Sequence, residues 1–182
     1  MNGIIVYQGK YGATEQYAQW LADELHMPFL KADEATPTIL AGYDLVILGS
    51  SVYVGKLTIG KWLKRNSSIL ANKKIFLFIV CGTTAGDKAE QRLLLRTNLE
   101  PGVLKTTGVF FLPGRCVVSK LSWIDRFVLK LGAMLQKDPQ KKAVMNHGFD
   151  HMNKKNLRSL VSAVGQECEV EAVMGSKATR RH

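Results

Sequence analysis

The chain has 182 residues, 46% hydrophobic and 22% charged, with a formal net charge of +10. That length and balance fit a single soluble globular domain. No apolar run approaches the ~18 residues of a membrane span, the longest clean one being residues 75–81. The N-terminus has no basic n-region and no small-residue cleavage site, so no signal peptide is read. Cys81, Cys116 and Cys168 lie far apart and form no Cys-x-x-Cys pair. That argues against a disulfide framework or zinc site and fits a reducing cytoplasm. The basic excess favours anionic partners such as nucleic acid, a lipid surface or an acidic ligand. No zinc-finger, RRM or helix-turn-helix spacing accompanies it, so no nucleic-acid partner is expected.

Residues 3–7 predict a short buried strand and 14–26 a helix with Ala18, Leu21, Ala22 and Leu25 on one face. Residues 27–31 and 43–49 predict two further strands, and 59–70 a helix. Residues 75–81 form the strongest strand pattern, followed by a helix over 88–99 that stops before Pro101. A strand is expected over 108–112. Residues 121–135 predict an amphipathic helix with Leu121, Ile124, Phe127, Val128, Leu131 and Leu135 on one side. The last helix is expected over 153–164, within a domain of residues 1–167, and residues 168–182 read as a flexible tail. Apolar strands without alternation are covered on both faces, and their alternation with helices implies a doubly wound parallel sheet. In such sheets ligands sit beyond the carboxyl ends of the strands.

Three loops occupy that edge. The first is Gly9-Lys10-Tyr11-Gly12-Ala13-Thr14, a strand-to-helix turn whose backbone N–H groups, helix dipole, hydroxyl and lysine suit a phosphate. The second is Ser50-Ser51-Val52-Tyr53-Val54-Gly55, and the third runs from Cys81 through Gly82, Thr83 and Thr84. Together they suit a flat heteroaromatic with a phosphate tail. Three other patterns are set aside. The first loop lacks the G-x-G-x-x-G of a dinucleotide site, which leaves Asp33 and Glu34 as a solvated turn. Residues 55–61 match G-x-x-x-x-G-K, but Trp62 stands where a P-loop needs Ser or Thr. His147 and His151 are spaced i, i+4 with Gly148 between and no third ligand, so no metal site is expected.

With these loops in order, the chain resembles the flavodoxin-like flavoproteins. Their phosphate loop commonly reads Ser/Thr-x-Thr-Gly-x-Thr; here Gly12 and Thr14 match, while Gly9 and Tyr11 stand where hydroxyls are usual. The segment Trp123-Ile124-Asp125-Arg126-Phe127-Val128-Leu129-Lys130 is similar to the Trp-x-Asp-Arg-Phe-x-x-Lys segment of the bacterial menaquinone-dependent protoporphyrinogen dehydrogenases. Members of that branch carry a long basic insertion after the fourth strand; here residues 82–90 lead almost directly into a helix. The resemblance implies a three-layer, five-stranded parallel sheet of order 2-1-3-4-5 and FMN as cofactor. It places the flavin against the three loops. It also implies oxidation of a porphyrin-type substrate, with electrons passed to a membrane quinone. A flavodoxin-type electron-transfer or redox-sensing protein is the alternative, although soluble shuttles of this kind are typically acidic and a +10 chain would be repelled by their basic partners. The apolar stripe over 121–135 reads as core-packed. The other face, with Trp123, Arg126, Lys130 and Lys137, suits an anionic membrane surface or a dianionic porphyrin. The expected location is the cytoplasm, peripheral on the inner membrane face. No general acid or base is assigned, and Cys81 reads as packed rather than reactive.

Overall fold

The computed structural model describes residues 1–82, 87–135, 139, 142 and 147–179. Elements follow in the order β1 (Gly3–Gln8), α1 (Ala13–Leu25), β2 (Phe29–Lys31), α2 (Pro37–Ala41), β3 (Leu45–Tyr53), β4 (Lys56–Leu57), α3 (Gly60–Arg65), α4 (Ser67–Leu70), β5 (Lys74–Cys81) and α5 (Lys88–Asn98). Then come α6 (Pro101–Thr106), β6 (Gly108–Pro113), β7 (Arg115–Cys116), α7 (Trp123–Leu135), β8 (Phe149–Asp150) and α8 (Arg158–Thr179).

The main sheet runs β2-β1-β3-β5-β6, all parallel. Counting only these five strands gives the expected order 2-1-3-4-5. Side chains alternate across each strand, and this divides the core in two. Ile4, Val6, Val46, Leu48, Ile75, Leu77 and Ile79 pack with Trp62, Leu70 and Leu94 from α3, α4 and α5. Ile5, Tyr7, Leu45, Ile47, Phe76, Phe78 and Val80 pack with Tyr17, Ala18 and Leu21 of α1 and Leu160 and Val164 of α8. Burial on both faces is why these strands read as unbroken apolar runs.

Several boundaries differ from the sequence reading. β3 continues four residues past Gly49 to Tyr53, because Val52 and Tyr53 pair antiparallel with Leu57 and Lys56. The helix expected over 59–70 is two short pieces meeting at Asn66, whose side-chain amide donates to the Trp62 carbonyl at 2.9 Å. The final helix begins at Arg158, after a 3-10 turn over Lys154–Leu157, and runs to Thr179, so residues 168–179 continue it. The small antiparallel pair β7–β8, whose strands lie on either side of α7 in the chain, was not legible as strands. Because β8 separates them, His147 and His151 do not share a helix face. Among the described residues no helix is long and apolar enough to cross a membrane, and no group of three acidic, histidine or cysteine side chains could hold a metal.

The largest correction concerns α7. Its apolar stripe does not enter either core cluster. Ile124, Phe127, Leu131 and Leu135 are exposed, and the buried positions are Asp125 and Ala133. The reason is polar: Asp125 is drawn inward by partners on the first two loops, and this turns the apolar face outward.

Candidate cofactor site

The first loop is set by β1 ending at Gln8 and α1 beginning at Ala13. Gly12 caps α1 with φ of 80°, a left-handed conformation that glycine adopts without strain. No side chain caps this helix. The first helical bond is from the Gln16 N–H to the Gly12 carbonyl, and the N–H groups of Tyr11, Gly12, Ala13 and Thr14 meet no acceptor among the described residues. Such open donors, at the positive end of a helix, favour an anion. The Thr14 hydroxyl sharpens this: the residue is 1% exposed and its Oγ1 has no hydrogen-bond partner among the described residues. A buried, unpaired hydroxyl costs stability unless a ligand satisfies it. Gly9 is required by closeness, since a Cβ there would stand 2.6 Å from Thr14 Oγ1. With the Thr14 side chain placed as it is here, a serine or threonine at this position would require that side chain to shift.

The second loop is a two-residue hairpin. Val54 and Gly55 lie between paired Tyr53 and Lys56 and have φ of 46° and 70°. Both central residues are left-handed, as in a type I′ turn, where valine is strained. Thr58, which sequence reasoning passed over, ties this loop to the first. Its Oγ1 donates to the Gln8 carbonyl at 2.6 Å and accepts from the Ser51 N–H at 3.1 Å. Ser50 is fully buried, its Oγ donating to the Ser51 carbonyl at 3.0 Å and accepting from the Ile59 N–H at 3.3 Å. Its hydroxyl therefore supports the loop from behind.

A cavity of about 410 Å³ opens between the loops. It brings together Lys10, Tyr11, Ala13, Thr14, Ser51, Val52, Tyr53, Val54, Cys81 and Gly82 of the expected set. Gly9 and Gly12 line a neighbouring cavity of about 350 Å³ with Gln8, Glu15 and Asp33. Ser50 and Gly55 line neither cavity. Thr83 and Thr84, like Lys137, lie outside the described residues. Beside Glu15, the Tyr7 hydroxyl donates to Oε1 at 2.8 Å, and burial together with that carboxylate pushes the phenol pKa well up. Glu34 Oε2 accepts from the Lys31 N–H at 3.1 Å, the structural role of a turn.

The far wall of the larger cavity is α7, with β7 and Phe149 of β8 beside it. Ser122 starts the helix: its carbonyl accepts from the Arg126 N–H and its Oγ accepts from the Asp125 N–H at 3.2 Å. Asp125 is 6% exposed and faces the loops. Lys10 Nζ lies 2.8 Å from Oδ2, and the Tyr53 hydroxyl donates to Oδ1 at 2.6 Å. The Tyr11 hydroxyl also donates to Oδ2. Lys10 Nζ sits 3.8 Å from the Tyr53 ring centroid, a cation–π contact. The Asp125 hydrogen bond raises the Lys10 pKa above its usual value. Asp125 is thus an internal carboxylate that joins both loops to α7. Its type and spacing within Trp123-x-Asp125-Arg126-Phe127 were visible in the sequence; its inward direction was not. Trp123, Arg126 and Lys130 lie outside the cavity lining, exposed on α7. Burial raises the thiol pKa of Cys116, also in the lining.

The fold and this edge define a doubly wound α/β protein with an anion cradle and an aromatic-walled cleft at the carboxyl ends of its strands. The family profile described as a flavodoxin domain matches residues 4–143, and the chain belongs to that family. An uncharacterized protein of Methanocaldococcus jannaschii is 36% identical over 85 residues, covering 45% of this chain and 55% of that one. The chain therefore spans about half the length of that relative. Oxidised flavodoxin 2 from Bacillus cereus is similar in structure, with a TM-score of 0.48 at 19% identity over 63% of this chain and 85% of that one. A flavoprotein from Lactobacillus acidophilus, solved in complex with FMN, has a TM-score of 0.42 at 16% identity over 62% and 91%. The cofactor of a flavodoxin domain is FMN, and the residues present fit it. The open N–H groups and the orphaned Thr14 hydroxyl match a phosphate, and Ser51, Val52 and Tyr53 offer a wall for a ring.

Proposed function

We propose that this chain is an FMN-dependent oxidoreductase of the protoporphyrinogen dehydrogenase type, acting at the cytoplasmic face of a membrane and passing electrons to a quinone. The observation that carries the flavin reading is the unpaired Thr14 hydroxyl beneath a row of open backbone donors, in the same cavity as Tyr53. When bound, FMN supplies the redox chemistry. The protein's own part is positional. Tyr11, Ala13, Thr14 and the α1 N-terminus would hold the phosphate, and Lys10 would add charge. Val52 and Tyr53 would bracket the ring, and Asp125 would fix Lys10 and both tyrosines. The Trp-x-Asp-Arg-Phe-x-x-Lys segment supports the porphyrin-type substrate, and the net charge of +10 suits its carboxylates. An anaerobic assay with protoporphyrinogen and a menaquinone analogue tests the reaction; absence of porphyrin fluorescence above background removes it.

A second reading is a flavodoxin-type electron-transfer or redox-sensing protein without heme-pathway activity. The short passage from β5, ending at Cys81, to α5, beginning at Lys88, favours it, because no long basic insertion stands there. FMN binding without turnover in that assay selects this reading.

A further inference from the structure

We propose that α7 is a membrane-contact helix that seats the protein on an anionic lipid surface with the mouth of the cofactor cleft facing the bilayer. Trp123, Ile124, Phe127, Leu131, Met134 and Leu135 are all exposed, Trp123 at 76% and Leu135 at 78%. With Val128 they fall within an arc of about 140° at 3.6 residues per turn. A contiguous exposed apolar strip of this kind marks an interaction surface rather than a core stripe. Arg126 and Lys130 flank its Trp123 edge on the same projection, and no exposed side chain of α7 is acidic. The single acidic residue of the helix, Asp125, is buried and bound to Lys10. An apolar face bordered by arginine and lysine, with a tryptophan at the boundary, matches an anionic headgroup layer over acyl chains. The net charge of +10 works in the same direction. A second copy of the chain suits the strip less well, because an antiparallel two-fold contact would set the basic border against itself and a parallel one would give it no acidic partner on α7.

The strip continues into the cleft. Val128 is partly exposed and also lines the cavity, as does Val54 across the mouth. A lipophilic acceptor leaving the bilayer would meet apolar surface all the way in. As an acceptor route the inference rests on the oxidoreductase reading; as a membrane contact it stands on α7 alone.

The test is flotation of the purified full chain with vesicles of phosphatidylcholine alone and of phosphatidylcholine with phosphatidylglycerol. Binding to the anionic vesicles is expected at least roughly ten-fold tighter than to the neutral ones, with a blue shift in tryptophan emission that Trp123→Phe abolishes. A Phe127→Glu, Leu131→Glu double variant, whose fold is checked by far-UV circular dichroism, is expected to lose roughly ten-fold or more in binding. Equal binding of the double variant, no vesicle binding, or a solution dimer that shields Trp123 from quencher each overturns the proposal. A chain that binds FMN but not vesicles refutes the membrane contact and leaves the flavin reading intact; vesicle binding without FMN binding does the reverse.

Discussion

Replacing Asp125 by alanine separates two effects that the structure assigns to one side chain. The carboxylate accepts from Tyr11 and Tyr53 and pairs with Lys10. Bonds to a charged group contribute about 1.5–3 kcal/mol each, while the Lys10 pair, with a lysine 41% exposed, adds at most about 1 kcal/mol. Both phenols regain water when α7 loosens, so the net loss is taken at the low end, about 3 kcal/mol. For a domain of this size that lowers Tm by about 6–12 °C. The same change removes a negative charge from the cavity that holds the phosphate cradle. If the like-charge cost is about 1 kcal/mol, FMN binding tightens roughly five-fold. Thermal unfolding by circular dichroism and an FMN fluorescence titration read the two quantities independently. A variant that loses less than about 2 °C refutes the assigned structural role of Asp125, and one that binds FMN more weakly while folded refutes the like-charge argument.

Thr14→Val keeps the side chain's shape and removes the unpaired hydroxyl. Stability is expected to hold or rise by up to about 1 kcal/mol, while FMN affinity falls roughly ten-fold; calorimetry and titration on one sample check both. Val54→Asn places a residue tolerant of positive φ in the hairpin turn, and relief of about 1 kcal/mol raises Tm by about 2–4 °C. The Lys10 pKa lies above 10.5 in the fold. Its contribution is therefore complete below 10.5 and is lost as pH rises through the folded value. The urea midpoint of the wild-type chain should fall across that alkaline range, and that of Lys10→Met should fall less.

The sheet was legible because burial on both faces writes itself as apolar runs, seen in residues 75–81 and 43–49. The phosphate loop was legible because its glycines and Thr14 are contiguous. Long-range polar contacts were not. Nothing in local spacing shows that Thr58 would bind Gln8 and Ser51, or that Asp125 would cross more than a hundred residues of chain to reach Lys10. That one contact inverted the reading of α7. Periodicity identified the helix and its apolar stripe, but the direction of the stripe depends on which face is anchored. Likewise Ser50 and Ser51 look alike in sequence, yet strand alternation sends one behind the loop and leaves the other lining the cavity.

Titration of the purified chain with FMN, followed by quenching of flavin fluorescence, bears most directly on the cofactor assignment. Saturable binding at micromolar FMN, weakened by Thr14→Val and strengthened by Asp125→Ala, is the predicted result. Failure of the folded wild-type chain to bind at those concentrations would contradict it.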